Sequence, residues 1–329
     1  MADRIYKNFQ LTNLHDNTLE MISNGYFEDI SEGLKSICKK FTHYDTPQQL
    51  IDNIKKHKDS IVFTVYGGHG SRNRMALVPA ICESYGIKFA GADAYARIVC
   101  QDKYLSKLLA KRFKLNTAKG LLIDKLSRLE FLNELALPIV IKPNLEGSSI
   151  GISDSSLANT YEDASKVIEN LYSEFKQPIL VEEFIPGKEI CVCILGTSSH
   201  IDFIEAMEVQ YQENVSYFYN RLYTAYDKHV SGQTIIHTKC TEFLSVQELV
   251  HIKELYFSLG KMDFMRIDGR LTENGFTLIE LTPDAYIGSD SSFADAGVIN
   301  GFSYESILSK IIHNALTYYH IPCSNYIKN

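Results

Sequence analysis

A short apolar, β-rich run at residues 139–141 ends in Lys142-Pro143 and opens onto the polar loop Glu146-Gly147-Ser148-Ser149. A second short strand is expected through Ile150-Gly151-Ile152, closing a hairpin. This junction restricts the chain more than any other segment. A lysine leaving a strand beside a Gly/Ser loop is what a nucleotide site requires. The ammonium offsets phosphate charge, and small residues let backbone N–H groups and hydroxyls close around the phosphates. It is not a Walker loop, because no G-x-x-x-x-G-K-[ST] is present and the lysine precedes the glycines.

The chain has 329 residues, which suits two or three lobes better than one small core. A net charge of -7 argues against the basic surface that nucleic acid normally requires. No apolar stretch approaches the roughly 18–20 residues that span a bilayer, and the start, MADRIYKNFQ, lacks a signal-peptide core. The seven cysteines are scattered, with no C-x-x-C. Cys191 and Cys193 lie two apart in a strand-like run and share a face, which reads as buried structural thiols. A reduced, cytoplasmic enzyme is expected.

Three lobes follow from the pattern, at residues 1–98, 99–180 and 181–329. The first opens with a strand at 5–11 and a helix at 16–40. It continues with a buried strand at 61–66 running into Gly67-Gly68-His69-Gly70, and a helix at 75–85 that tolerates Pro79 in its first turn. In the second lobe a helix at 102–113 presents Leu105, Leu108, Leu109 and Phe113 as its apolar face. Residues 161–175 repeat that pattern with Tyr161, Ala164, Val167, Ile168, Leu171 and Phe175. Strands at 179–184, 190–195 and 201–209 lead to a pair at 264–271 and 276–281 joined at Asn274-Gly275, a strong hairpin signal. A helix at 304–319 closes the chain. On the paired strands, Arg266 and Asp268 share one face, and Glu280 and Thr282 share one face of the partner. Two carboxylates on paired strands form a hard-oxygen site for Mg²⁺.

Lys142-Pro143 followed by E-G-S-S-x-G resembles the ATP-binding lid of the ATP-grasp ligases, specifically their D-alanine–D-alanine ligase branch, and the resemblance runs from residue 61 to 316. It implies an α/β ATP-grasp fold of three lobes, with ATP held between two antiparallel sheets. Lys103, in Asp102-Lys103, becomes a second phosphate lysine beside Lys142, and Glu146, Gly147, Ser148 and Ser149 become the lid. The segment 179–185 followed by Gly187-Lys188-Glu189 resembles the family's hinge. There Glu182 would face the adenine amino group, with Glu183 beside it, Phe184 and Ile185 would offer backbone, and Glu189 would take the ribose. Asp268, Glu280 and Thr282 become the metal set, with Thr282 standing where the family has asparagine. Arg266, Lys142 and Ser149 become the catalytic groups.

The substrate side departs from the family. Gly68 to Arg74 aligns on H-G-x-G-G-E-D-G and places His69 as a substrate residue, but Arg74 falls where the family has a glutamate, with Arg72 two residues earlier. The family's G-G-x-S-x-E loop is missing from residues 1–30. A guanidinium is the preferred fork for a carboxylate, so Arg72 and Arg74 are expected to bind one. Lys228 would stand in for the family's A-K-Y lysine, and Gly288 and Ser291 for its contacts to the second substrate. The resemblance implies that ATP phosphorylates a carboxylate and an amine then displaces phosphate. The reading preferred on these grounds is an amino-acid ligase in a specialised pathway, taking small amino-acid-like substrates. The alternatives are a divergent D-alanine–D-alanine ligase of cell-wall synthesis and a non-catalytic nucleotide-binding protein. A homodimer is expected.

Overall fold

Local capping and alternation set most of the elements in the computed structural model, which describes residues 23–68, 72–283 and 285–328. The expected strand at 5–11 and helix start at Asp16 lie outside the described residues. Helix α1 (Asn24–Ile37) is capped by the Ser23 hydroxyl, which accepts from the Tyr26 N–H, and is followed by α2 (Pro47–Asn53). Strand β1 (Ile61–Phe63) is half the expected length. A single 3₁₀ turn at Arg74–Ala76 leads into α3 (Leu77–Tyr85), and β2 (Lys88–Ala90) pairs parallel with β1.

The middle of the chain forms α4 (Ala94–Gln101), α5 (Lys103–Arg112), β3 (Asn116–Thr117), β4 (Gly120–Ile123), β5 (Ile139–Pro143), β6 (Leu157–Ala158), α6 (Tyr161–Phe175) and β7 (Ile179–Glu183). The remainder forms β8 (Lys188–Gly196), β9 (Ile201–Tyr211), α7 (Ala225–His229), β10 (Ile235–Lys239), α8 (Val246–Ser258), β11 (Phe264–Thr272), β12 (Gly275–Pro283), α9 (Ser292–Ile299) and α10 (Tyr304–Tyr318). A four-stranded antiparallel sheet has the order β4-β7-β5-β6. A six-stranded sheet has the order β10-β9-β8-β11-β12-β3 and is antiparallel except where β12 meets β3.

Alternation in β8 divides the large sheet's two cores. Ile190, Val192 and Ile194 face α4, α5 and α8, whereas Cys191, Cys193 and Leu195 face α1, α9 and α10. All seven cysteines are free thiols. The small sheet closes a core of its own, in which Ile139, Ile141, Ile179 and Val181 meet Ala164, Ile168, Leu171 and Phe175 of α6. That face of α6 is the one its periodicity marks.

Two expectations are corrected. Residues 150–152 form no strand. Ser148 and Ser149 have φ of 51° and 60° and Gly151 has 74°, so left-handed turns curl the loop, and β5 pairs instead with Leu157 and Ala158. Helix α5 does not bury its leucines: Leu105 and Leu108 are 42% and 48% exposed, while Lys103, Ser106, Lys107 and Ala110 are buried. Only Leu109 and Phe113 of the expected face pack against a core. A helix can bury two lysines on one stripe when each ammonium meets a carboxylate, and here each does. Helices α4 and α5 thereby join the large sheet's core rather than the small sheet's, although residue 99 was expected to open the middle lobe.

Candidate active site

Three buried lysines converge where the two sheets face each other. Lys142 leaves β5 with Nζ 2.8 Å from Oε2 of Glu182, and Lys107 holds the other oxygen of the same carboxylate at 2.8 Å. Lys103 lies 2.7 Å from Glu280 Oε1 and also donates to the Glu146 carbonyl. Burial alone would raise the Glu182 carboxyl, but the ammonium groups of Lys107 and Lys142 outweigh it and hold the group below the usual carboxylate range. Burial lowers Lys107 to about 8 against the opposing pull of Glu182. The sequence reading missed Lys107. Its signal was the i+4 spacing from Lys103, which puts both on one helix face.

On the large sheet, Asp268 pairs directly with Glu280 across the β11–β12 ladder, and the register shifts immediately afterwards. Arg266 grips Asp268 in a fork, Nε to Oδ1 at 2.6 Å and Nη2 to Oδ2 at 3.0 Å, while the Thr282 hydroxyl donates to Oδ2 at 3.2 Å. Burial opposes ionisation of Glu280, but Lys103 and then Lys142 keep it below its ordinary range. Two carboxylates on one face with a hydroxyl beside them fit a hard cation such as Mg²⁺. Among the described residues no cluster of three acidic, His or Cys side chains that could hold a metal ion occurs, so Asp268 and Glu280 would be its carboxylate donors there.

The hinge sets its two glutamates on opposite sides. Adjacent residues on a strand point to opposite faces. Glu182 therefore turns toward the lysines, and Glu183 turns away to accept the Ala136 N–H at 2.9 Å, which makes it a brace for the preceding loop. The Phe184 N–H donates to the Pro138 carbonyl at 2.9 Å, so the carbonyl is what Phe184 has left for a base, with Ile185 next along the hinge. Glu189 lies 2.8 Å from Arg270, a residue the sequence reading did not single out.

The lid loop is latched at both ends. At its tip, the Ser149 hydroxyl donates to the Tyr223 carbonyl at 2.9 Å and accepts from Lys228 at 2.8 Å. Lys228 rides on the short helix α7, whose first turn is fixed by a capping box between Thr224 and Asp227. Burial and then the nearby Arg266 lower the Lys228 pKa. At the base, Glu146 is buried and accepts from Arg74 at 3.0 Å and from Gln177 at 2.8 Å, and Arg74 also donates to the Leu145 carbonyl at 2.8 Å. Between base and tip, Gly147 and Ser148 form the turn closed by the Ile150 N–H on the Gly147 carbonyl.

Arg72 and Arg74 do not act as the expected pair. Arg72 is exposed, whereas Arg74 is buried against the lid base. Position 74 opens a 3₁₀ turn that faces inward, and Glu146 supplies the counter-charge. His69 lies outside the described residues. Gly288 and Ser291 sit in a loop docked on α1, where Ser289 N–H donates to Asp29 at 2.6 Å. The Ser291 hydroxyl caps α9 by accepting the Ala294 N–H. At Gly288 an added Cβ would stand 2.3 Å from the Tyr286 hydroxyl.

The family described as D-ala D-ala ligase C-terminus matches residues 113–313. A D-alanine–D-alanine ligase of Thermotoga maritima is 25% identical over 88% of this chain and 90% of its own length. One of Actinobacillus pleuropneumoniae is 26% identical over 86% and 89%. Among solved structures, the Bacillus anthracis D-alanine–D-alanine ligase complexed with ATP superposes with a TM-score of 0.69 at 18% identity, covering 91% of this chain and 95% of that one. The VanG D-Ala:D-Ser ligase of Enterococcus faecalis gives 0.61 at 21% identity, covering 78% and 72%.

Proposed function

The chain belongs to the D-alanine–D-alanine ligase family, and from that premise we propose that it joins two D-amino acids, with D-alanine in both positions as the leading assignment. It is an ATP-dependent carboxylate–amine ligase of ATP-grasp fold that releases ADP and phosphate and uses Mg²⁺. The observation that carries the reading is the convergence of Lys103, Lys142 and Arg266 with the facing carboxylates Asp268 and Glu280.

The chemistry follows from those groups. A carboxylate oxygen of the first substrate takes the γ-phosphoryl of ATP, giving an acyl phosphate and ADP. The amine of the second substrate attacks the carbonyl carbon, loses a proton, and expels phosphate to leave an amide. Lys103 and Lys142 neutralise phosphate charge, while Lys107 keeps Glu182 ionised and oriented. Arg266 faces the charge that develops on the transferring phosphoryl and the tetrahedral intermediate. Asp268 and Glu280, with Thr282 as a weaker donor, would hold Mg²⁺, which would supply positive charge against the phosphates. The loop Glu146 to Gly151, closed by Ser149 on the Tyr223 carbonyl and Lys228, excludes water that would hydrolyse the acyl phosphate. On this reading the enzyme is a cytoplasmic homodimer, which sedimentation at twice the chain mass would test.

The cell-wall type of reaction is favoured over a specialised one because Arg74 is buried against the lid base, where its Nη2 serves both Glu146 and the Leu145 carbonyl. The charge reversal at position 74 therefore serves the lid, and it no longer argues for a first substrate carrying a second carboxylate. The specialised reading keeps one observation, that position 74 supplies no acid for a substrate ammonium. Phosphate release with D-alanine as sole amino acid supports the first reading. Release only with another amino acid or amine assigns the second.

The metal residues give a separate test. Glu280→Gln should raise the Mg²⁺ concentration for half-maximal rate, since an amide is a poorer hard-cation ligand, and Thr282→Asn should lower it. A Mg²⁺ titration unchanged in both variants would remove these positions from the metal site.

A further inference from the structure

Arg270 is buried, 4% exposed, on β11 two residues beyond Asp268, and it pairs with Glu189 in the β8–β11 ladder. Its Nε meets Glu189 Oε2 at 2.8 Å. Nη1 donates to the Gly187 carbonyl at 2.9 Å and to the Phe218 carbonyl, and Nη2 donates to the Arg221 carbonyl at 2.6 Å. The guanidinium also lies 5.5 Å from the Phe184 ring. One planar fork thus serves a carboxylate and three carbonyls, a geometry that a lysine ammonium cannot reproduce. Gly187 has a φ of 146°, and an added Cβ there would stand 2.6 Å from the Leu271 carbonyl, so the hinge is pressed directly onto this strand.

We propose that Arg270 is a positioning residue with two linked tasks: it sets Glu189 for the ribose hydroxyls of ATP, and it fastens the loop 217–228, which carries Lys228, to the nucleotide-binding sheet. The first task rests on Glu189 being the ribose acid. Arg270 engages Oε2, which leaves Oε1 for the hydroxyls. Burial pushes the Glu189 carboxyl up, and Arg270 is the foremost group opposing that rise. The second task follows from the carbonyls. Phe218 and Arg221 bracket the loop, the Phe218 ring packs on Tyr223 at 4.9 Å, and the Tyr223 carbonyl receives the lid hydroxyl of Ser149. Nucleotide seating and lid closure thereby share one side chain.

The test compares kcat/KM for ATP and for 2′,3′-dideoxy-ATP in wild type, Glu189→Gln, Arg270→Met, Arg270→Lys and the Glu189→Gln/Arg270→Met double variant. Loss of a charged hydrogen bond corresponds to about tenfold or more. The wild-type preference for ATP should therefore fall toward one in Glu189→Gln and in Arg270→Met, with no further fall in the double variant and partial retention in Arg270→Lys. The KM for the amino-acid substrate should rise in Arg270→Met and stay near wild type in Glu189→Gln, because Arg270, and not Glu189, binds the loop carbonyls. A purely structural arginine would lower the melting temperature without moving the nucleotide preference. If Glu189→Gln loses the preference while both Arg270 variants keep it, the proposal falls and the ribose assignment stands. If Glu189→Gln keeps it, the ribose assignment falls and the proposal with it. Should Arg270→Met fail to fold, the Arg270→Lys ratio decides.

Discussion

Replacing Lys142 by methionine should reduce ATP-dependent ADP release by about 100- to 1000-fold, the scale of one lost electrostatic donor at a reacting centre. The side chain is not the exposed lysine that a strand end suggests. It is buried and shares Glu182 with Lys107. Removing it leaves Glu182 one ammonium, that of Lys107, in place of two, so the stability loss should stay at about 1–3 kcal/mol, below the cost of orphaning a buried charge. The pH dependence has a definite sign. Because the folded Glu182 pKa is depressed, its contribution is present above the unfolded carboxyl value of about 4.3 and is lost as pH falls through the lower folded value. With one ammonium gone the depression shrinks, and the acid limb of the stability profile should flatten. Wild-type ADP release from the variant would sink the phosphate role, and an unchanged acid limb would sink the Glu182 account.

Replacing Arg74 by glutamate should be the most damaging substitution to stability, costing about 3–5 kcal/mol, because it breaks a buried ion pair and sets a second carboxylate against Glu146. The lid base would be pushed from the N-terminal lobe, and activity should fall with it. Adding Glu146→Gln removes the opposing charge and should recover a measurable part of the stability, which denaturant unfolding of the single and double variants would read as coupling. Arg74→Glu unfolding at the wild-type midpoint, with only a substrate KM altered, would return Arg74 to the substrate pocket.

What could be read in the chain beforehand was whatever depends on near neighbours. The β11–β12 hairpin, the buried face of α6 and the lysine ending β5 all follow from alternation, helical period and turn chemistry within a few residues. The misreadings share a cause, which is a partner distant in sequence. Helix α5 looked amphipathic in the usual sense. It turned its lysines inward because Glu182 and Glu280 wait on two different sheets. Arg74 looked free for a substrate because nothing local reveals that Glu146 lies beside it. The segment 150–152 looked extended from its isoleucines, yet the backbone of Ser148, Ser149 and Gly151 had already turned left-handed. Arg270 looked like one more charge on a strand, and its four partners come from two separate segments upstream.

The core beneath the four-stranded sheet has no residue in common with the cores on either side of the six-stranded one. The crossing contacts described above, Arg74–Glu146, Lys107–Glu182 and Ser149–Tyr223, are polar. Tilting the small sheet as a unit breaks a handful of directional bonds and leaves its oily interior sealed. Heat-capacity changes track apolar surface entering or leaving water. Opening and closing over the nucleotide should accordingly carry a small heat-capacity change, and the pace of the motion should respond to temperature almost as a simple bond-breaking event does.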